Sequence, residues 1–285
     1  MAGTLYLCAT PIGNLEDMTY RAVRILNEVD LIAAEDTRNS VKLLNHFDIH
    51  TPMTSYHEYN KYEKGQKLVQ RLLDGADIAL ITDAGTPGIS DPGEELVRMC
   101  CDAGICVTAV PGAAACITGL ILSGLPTRRF AFEAFLPSDK KERGYVLGAI
   151  AGEQRTIVMY EAPHRLVKTL KLLEETLGGE RRVSICRELT KRHETVYRAT
   201  LAEAVSCYES REPKGECVIV IEGVSREAIE MEERKKWEDM SIESHVEYYL
   251  SLGLDRKEAM KKAAKDRGVT KRDIYRYLEQ KKQED

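Results

Sequence analysis

The residue types best suited to chemistry are gathered in residues 82–93, TDAGTPGISDPG. Glycines let a backbone approach a ligand closely and take positive φ. Two prolines stiffen the loop and remove N–H donors, so carbonyl oxygens are presented as readily as amides. Asp83 and Asp91 make the loop acidic, and no lysine lies nearby. Neither the phosphate-cradling GxxxxGK[ST] pattern nor the dinucleotide GxGxxG pattern occurs. A rigid acidic loop suits a cationic or zwitterionic ligand better than a triphosphate. S-adenosylmethionine, with its ammonium and sulfonium, is such a ligand, and carbonyls can receive its polarised methyl hydrogens. The bland reading is a tight strand-to-helix turn that holds nothing.

Three further loops share the position of this one. ATPIGN (9–14), AEDTR (34–38) and VPGAAA (110–115) each follow a short apolar run, as TDAGTPGISDPG does. The runs predict strands over 4–8, 31–34, 53–55, 78–82 and 107–110. Helical periodicity fits 19–29, 41–47, 61–73, 93–103 and 113–123. Alternating strands and helices predict a largely parallel sheet covered on both faces, and such sheets bind ligands at the carboxyl ends of their strands.

SGLPTRR (123–129) marks a domain boundary. Beyond it the pattern predicts strands over 130–135, 156–160, 182–187, 195–200 and 217–222, and helices over 143–151, 166–177 and 201–210. The close spacing of the middle strands argues for a mixed sheet. The expected division is 1–124, 125–225, a charged linker over 226–240 containing the single Trp237, and a tail over 241–285.

The tail reads as three short helices. Ser241 caps the first, Ala259, Met260, Ala263 and Ala264 face inward on the second, Gly268 makes the turn, and Thr270 caps the third. Helix, glycine turn and basic helix form a helix-turn-helix pattern. Between Asp255 and Lys282 there are eleven basic and five acidic residues, a balance of +6. The last three residues add −2, so the first 254 carry −9 of the chain's net −5. This asymmetry points to an anionic partner for the tail. Arg272 and Arg276 are candidate nucleic-acid contacts, with Tyr275 and Tyr277 able to stack on bases. A small packing bundle with a solvated charged face is the alternative.

Composition, 43% apolar and 31% charged, is that of a globular protein. A chain of this length buries enough surface to need no disulfide or metal staple. The eight cysteines show no C-x-x-C pair, so we expect reduced, mostly core cysteines, Cys8, Cys106, Cys186 and Cys217 among them, and no metal site. The apolar run 113–125 is too short to span a bilayer. No basic leader opens the chain, and a cytoplasmic location is expected.

Six segments are specific in combination. ATPIGNLEDMTYRAV, IAAEDTR, TDAGTPGISDPG, VPGAAA, YEAPHR (160–165) and RELTKRHET (187–195), in this order, resemble the 16S ribosomal RNA cytidine 2′-O-methyltransferases, a branch of the tetrapyrrole-methylase superfamily. The resemblance covers about residues 3–224, and the tail resembles that family's helical C-terminal module. It implies two α/β domains with S-adenosylmethionine folded into the cleft between them, usually in a homodimer. It implies 16S rRNA as partner, within the 30S subunit. Carried over by motif, Pro11 lines the cleft, and Asp83, Gly85, Thr86 and Ile89 hold the methionine and sulfonium end. Ala114 and Ala115 flank the ribose and adenine, with Tyr160 and Leu189 closing from the second domain. The family's loop often carries a hydroxyl where this chain has PGAAAC.

Methyl transfer to a ribose needs alignment, contributing up to about 7–11 kcal/mol, and a base, contributing about 10²–10⁴-fold. Glu188 or Asp36 is the expected base, with Arg38 or Arg187 orienting a phosphate. His57, Glu161, His164 and Arg165 are candidates for the substrate side, and Lys191 and Arg192 for gripping RNA phosphates. For each carboxylate the competing role is a structural ion pair. Rival functions are C-methylation of a tetrapyrrole, methylation of a protein in the diphthamide pathway, and RNA binding without catalysis.

Overall fold

Five strands of the first half, β1 (Thr4–Cys8), β2 (Leu31–Ala34), β3 (Met53–Ser55), β4 (Ile78–Ile81) and β5 (Cys106–Val110), pair in the order β3-β2-β4-β1-β5. Every neighbouring pair is parallel. The helices between them are α1 (Tyr20–Glu28), α2 (Thr37–His46), α3 (Lys61–Leu73), α4 (Gly93–Asp102) and α5 (Ala115–Ser123). Alternation along the central strands fills two cores. Ile32, Ala34, Ala79 and Ile81 pack with Ile25 and Leu26 of α1 and Leu44 of α2. Leu31, Ala33, Ile78 and Leu80 pack with Leu68 and Leu72 of α3 and Leu96 of α4. Successive side chains of a strand point to opposite faces. A parallel sheet covered on both faces therefore needs the unbroken apolar runs LIAA and IALI.

The second sheet is mixed. It contains β6 (Phe130–Phe135), β7 (Thr156–Glu161), β8 (Arg182–Arg187), β9 (Thr195–Thr200) and β10 (Cys217–Ile221), in the order β6-β7-β10-β8-β9. Only β6 and β7 are parallel among its neighbours. Its helices are α6 (Lys140–Ala151), α7 (Leu166–Leu177) and α8 (Leu201–Glu209). One face packs on Leu166, Leu170 and Leu173 of α7 and Leu201, Ala204 and Val205 of α8. The other face receives Cys116 and Leu120 of α5, which meet Val158, Cys186, Val218 and Val220. Each fully buried aliphatic side chain contributes about 1.5–3 kcal/mol.

The structure, a computed structural model, describes residues 1–210, 214–235, 237 and 239–284. Met1–Ala151 with Arg155–Glu222 make one unit, and Gly152–Gln154 with Gly223–Asp285 a second. The second holds α9 (Arg226–Lys235), α10 (Ile242–Ser251), α11 (Arg256–Arg267) and α12 (Lys271–Glu284). Its core is Val246, Ala259, Met260, Ala263, Ala264 and Ile274. Ser241 accepts the Ser244 amide at 3.1 Å, and Gly268 ends α11 at φ +65°. The amide of Asp273 donates to the Thr270 hydroxyl at 3.3 Å. Among the described residues no helix is long and apolar enough to cross a membrane.

Several boundaries differ from the sequence expectation for local reasons. The helix expected at 41 starts at Thr37, because the Asp36 carboxylate accepts the Arg38 amide at 2.9 Å and begins the turn early. The helix expected at 143 starts at Lys140, where Asp139 accepts the amides of Lys141 and Glu142. The expected linker 226–240 is helical over Arg226–Lys235, a run rich in the strong helix formers Glu, Lys and Arg. Trp237 does not idle in a linker; it stacks on His245 with ring centroids 3.8 Å apart. Cys106 lies in a strand, but β5 is an edge and its thiol is exposed.

A Cβ added at Gly119 would stand 2.8 Å from Val218 Cγ1. Replacing Gly119 with Val must push α5 off the second sheet, at about 1–3 kcal/mol for overpacking. The melting temperature is expected to fall by about 2–4 °C for each kcal/mol, read by calorimetry.

Candidate active site

The loop after β4 is held from three sides. Thr10 and Gly85 exchange backbone hydrogen bonds at 2.9 and 3.1 Å, which ties it to the loop after β1. The Thr86 hydroxyl donates to the Ala113 carbonyl at 3.0 Å, which ties it to the loop after β5. The Asp91 carboxylate accepts the amides of Gly88, Ile89 and Gly93 at 2.7–3.2 Å. Gly85 has φ +89°, and a Cβ there would stand 3.3 Å from Ile12. Only glycine takes that bend beside Ile12 without strain.

These loops form one wall of a cavity of about 420 Å³. Ile12, Glu35, 82–86, 89–91, Ala114 and Ala115 line it from the first sheet's side. The opposite wall is Phe135, 160–163, Leu189 and 216–218. Part of that wall is one row of cross-strand neighbours, since Tyr160 pairs with Phe135 on β6 and with Val218 on β10. The Tyr160 hydroxyl accepts the Cys116 amide at 3.1 Å, joining the wall to the first turn of α5. Burial pushes the Tyr160 phenol well above its ordinary pKa, so it stays neutral. Glu188 and Thr190, at φ +50° and +65°, bend the chain so that Leu189 between them turns into the cavity.

Among the expected cofactor residues, Asp83, Gly85, Thr86, Ile89, Ala114, Ala115, Tyr160 and Leu189 all line the cavity. Pro11 is buried beside it, and its neighbour Ile12 is the residue that faces in. Asp36, Arg38, Arg187 and Glu188 lie outside the lining. The Asp36 carboxylate is clasped by the Arg38 guanidinium at 2.6 Å and the Arg38 amide, which hold it down at about 2. Burial alone would raise Glu188, yet the Lys191 ammonium at 3.0 Å and the Glu216 amide at 3.1 Å hold it below the ordinary value. Arg187 donates to the Lys214 carbonyl.

The substrate-side candidates divide likewise. Glu161 lines the cavity but is buried and fully engaged, with Thr169 at 2.5 Å, the Ala162 amide at 2.9 Å and Arg165 at 3.3 Å. Arg165 also donates to the Leu136 carbonyl at 2.7 Å. His164 is exposed on the short turn Pro163–Arg165. His57 lies outside the lining, its amide donating to Asn60 at 2.9 Å. Lys191 bridges Glu188 and Glu216, while Arg192 is exposed. Arg272 and Arg276 are exposed on α12. Sequence reasoning missed Ile12, Phe135, Glu216 and Val218. Ile12 stood one residue from a motif position; the others depend on strand pairing that no local pattern announces.

The wall chemistry is one-sided. Glu35, Asp83, Asp91, Glu161 and Glu216 line the cavity, and among the described residues no lysine or arginine does. Such a wall favours a cation. Ala114 and Ala115 leave room where larger side chains would fill it, and the volume lies within the range of small-molecule sites.

The sequence matches the family model of the tetrapyrrole (corrin/porphyrin) methylases over residues 4–205. It is 53% identical over 278 residues to ribosomal RNA small subunit methyltransferase I of Halalkalibacterium halodurans, covering 98% of this chain and 95% of that protein. The protein of the same name from Bacillus subtilis is 48% identical, covering 96% and 93%. Among solved structures, uroporphyrin-III-C-methyltransferase from Thermus thermophilus superposes with a TM-score of 0.56 at 19% identity, covering 76% of this chain and 94% of that one. A diphthine synthase gives 0.63 at 13% identity, covering 78% and 90%.

Asp91→Ala leaves three loop amides without their acceptor. Each hydrogen bond to a charged group contributes about 1.5–3 kcal/mol, so amide exchange across residues 84–93 is expected to quicken at least about tenfold, read by hydrogen–deuterium exchange.

Proposed function

The chain belongs to the tetrapyrrole methylase family, in the branch of the ribosomal RNA small subunit methyltransferases I, and on that footing we propose that it methylates a cytidine of 16S rRNA at the ribose 2′-hydroxyl, with S-adenosylmethionine as donor. The similarity over 96–98% of the chain carries this reading, because it spans the tail as well as both sheets. The tetrapyrrole and diphthine enzymes share the fold at 19% and 13% identity, and that likeness speaks for the fold alone.

When bound, the cofactor supplies an activated methyl on a positively charged sulfur. The residues present fit it: a cavity of about 420 Å³ walled by carboxylates, with glycine and alanine at its closest points. Gly85, Ile89, Ala114 and Ala115 bound the cofactor on one side, and Tyr160 and Leu189 on the other. Thr86 acts indirectly, since its hydroxyl is engaged with Ala113 and keeps the loop in place. Glu161 keeps the Tyr160 strand and the Pro163–Arg165 turn together through Thr169 and Arg165. These contacts fix the walls before any ligand arrives, which lowers the entropy lost in alignment.

The substrate is read as rRNA in the 30S subunit. Arg272 and Arg276 on α12 grip phosphates, Arg192 and His164 extend the contact, and His57 lines the approach. A homodimer in the cytoplasm completes the reading. Ile117 and Ile121 of α5 are exposed on a helix that is apolar nearly all round, as a covered surface would be.

Labelled S-adenosylmethionine and unmodified 30S subunits are expected to yield label in 2′-O-methylcytidine on nucleoside analysis. Cofactor binding without labelled RNA would overturn the reading. Replacing Arg272 and Arg276 together with Ala should weaken subunit binding and lower the slope of log K against log salt by about 1.4–1.8. Cofactor affinity should stay unchanged.

A further inference from the structure

The five carboxylates that line the cavity are not equivalent, and their partners sort them. Asp91 receives three loop amides. Glu161 is enclosed by Thr169, Arg165 and the Ala162 amide. Glu216 is paired with the Lys191 ammonium at 3.1 Å. Glu35 accepts the Thr82 hydroxyl at 2.6 Å and the Asp83 amide at 3.4 Å. Asp83 has only neutral donors among the described residues, the Asn39 side-chain amide at 3.2 Å and the Asp36 backbone amide, and is exposed to an incoming substrate.

We propose that Asp83 is the general base of the methyl transfer, taking the proton of the ribose 2′-hydroxyl. This rests on the methyl-transfer reading and deepens it. As the ribose oxygen bonds to the methyl carbon, the carbon–sulfur electron pair returns to sulfur. The sulfonium becomes a neutral thioether, and the proton passes to Asp83, which later releases it to water. Metal is not required for this balance, since the leaving group departs neutral.

The neighbours of Asp83 suit the task. Glu35 and Asp36, from the turn after β2, place negative charge beside it, and Arg38 and Asn39 face it from α2. Partial desolvation, with the charges of Glu35 and Asp36, raises Asp83 above its ordinary value, against the hydrogen bonds from the Asn39 side chain and the Asp36 amide. A raised carboxylate is a stronger base that is still ionised near neutrality. Arg38 does not cancel this, because its guanidinium is clasped to Asp36 at 2.6 Å. Asp36 and Glu188, the bases expected from sequence, are held low by their own cations. The resemblance gives Asp83 to the cofactor; its sparse partnering gives it to the proton.

Two measurements on Asp83→Asn separate these roles. Calorimetric affinity for S-adenosylmethionine should stay within about threefold of wild type. The single-turnover rate on unmodified 30S subunits should fall by about 100-fold or more, the range of a lost general base. The wild-type rate should rise with pH along an acid limb that D83N lacks and that Asp83→Glu retains, displaced, with partial activity. Cofactor binding lost in step with transfer would place Asp83 on the cofactor and overturn the proposal, as would D83N at the wild-type rate. Wild-type protein that binds cofactor but labels no RNA would overturn the methyl-transfer reading, and this assignment with it.

Discussion

The close approach of α5 to the second sheet is the constraint on which the cavity depends. By sequence α5 belongs to the first half, following β5 as each earlier helix follows its strand. Its apolar surface instead packs on Val158, Cys186, Val218 and Val220. Gly119 permits this, because any side chain there would meet Val218. The first turn of the same helix presents Ala114 and Ala115 to the cavity and gives its Cys116 amide to Tyr160. One helix thus sets the separation of the two walls and supplies part of one of them. Protein interiors are close-packed and yield little, so that separation is fixed by packing and not by a ligand.

A second regularity is how acidic side chains are disposed. Asp36, Asp91, Glu161 and Glu188 each receive donors that hold a turn or a strand end in place. Hydrogen bonds to a carboxylate stabilise its ionised form. For Asp36 and Glu188, what makes the group a good brace therefore also makes it a weak base. A carboxylate intended for proton transfer must be left short of donors and close to like charge, and both conditions oppose stability locally. The cavity tolerates them because Asp91 and the Thr10–Gly85 bridge already fix the loop that bears Asp83.

Much of the architecture was legible because it is written in short-range patterns. Runs such as IALI and CVIVI announce buried strands, and the spacing of Leu166, Leu170, Leu173 and Leu177 announces α7 at its observed bounds. The Gly-Pro-Asp loop 82–93 was legible for the same reason, since turn chemistry is local. Helix starts were harder: Asp36 and Asp139 begin helices several residues before apolar periodicity becomes visible. The far wall was not legible. Phe135, Tyr160 and Val218 become neighbours only through the order β6-β7-β10, which joins residues distant in sequence.

The base expected from sequence illustrates the same limit in chemical form. Asp36 and Glu188 are the bases expected from sequence and the resemblance gives Asp83 to the cofactor, yet all three are acidic residues in loops near a ligand. What separates them is who donates to each. Arg38 reaches Asp36 from two residues away, a local pairing that the AEDTR segment already contains. Glu188 is claimed by Lys191, three residues on, and by the amide of Glu216 from another strand end. Asp83 receives neutral donors, the Asn39 side-chain amide from α2 and the Asp36 backbone amide, and is flanked by the Glu35 and Asp36 carboxylates. The residue type is thus common to all three, and the fold differentiates them: Asp36 and Glu188 are each held in a direct ion pair, while Arg38, clasped to Asp36, acts on Asp83 only through its charge.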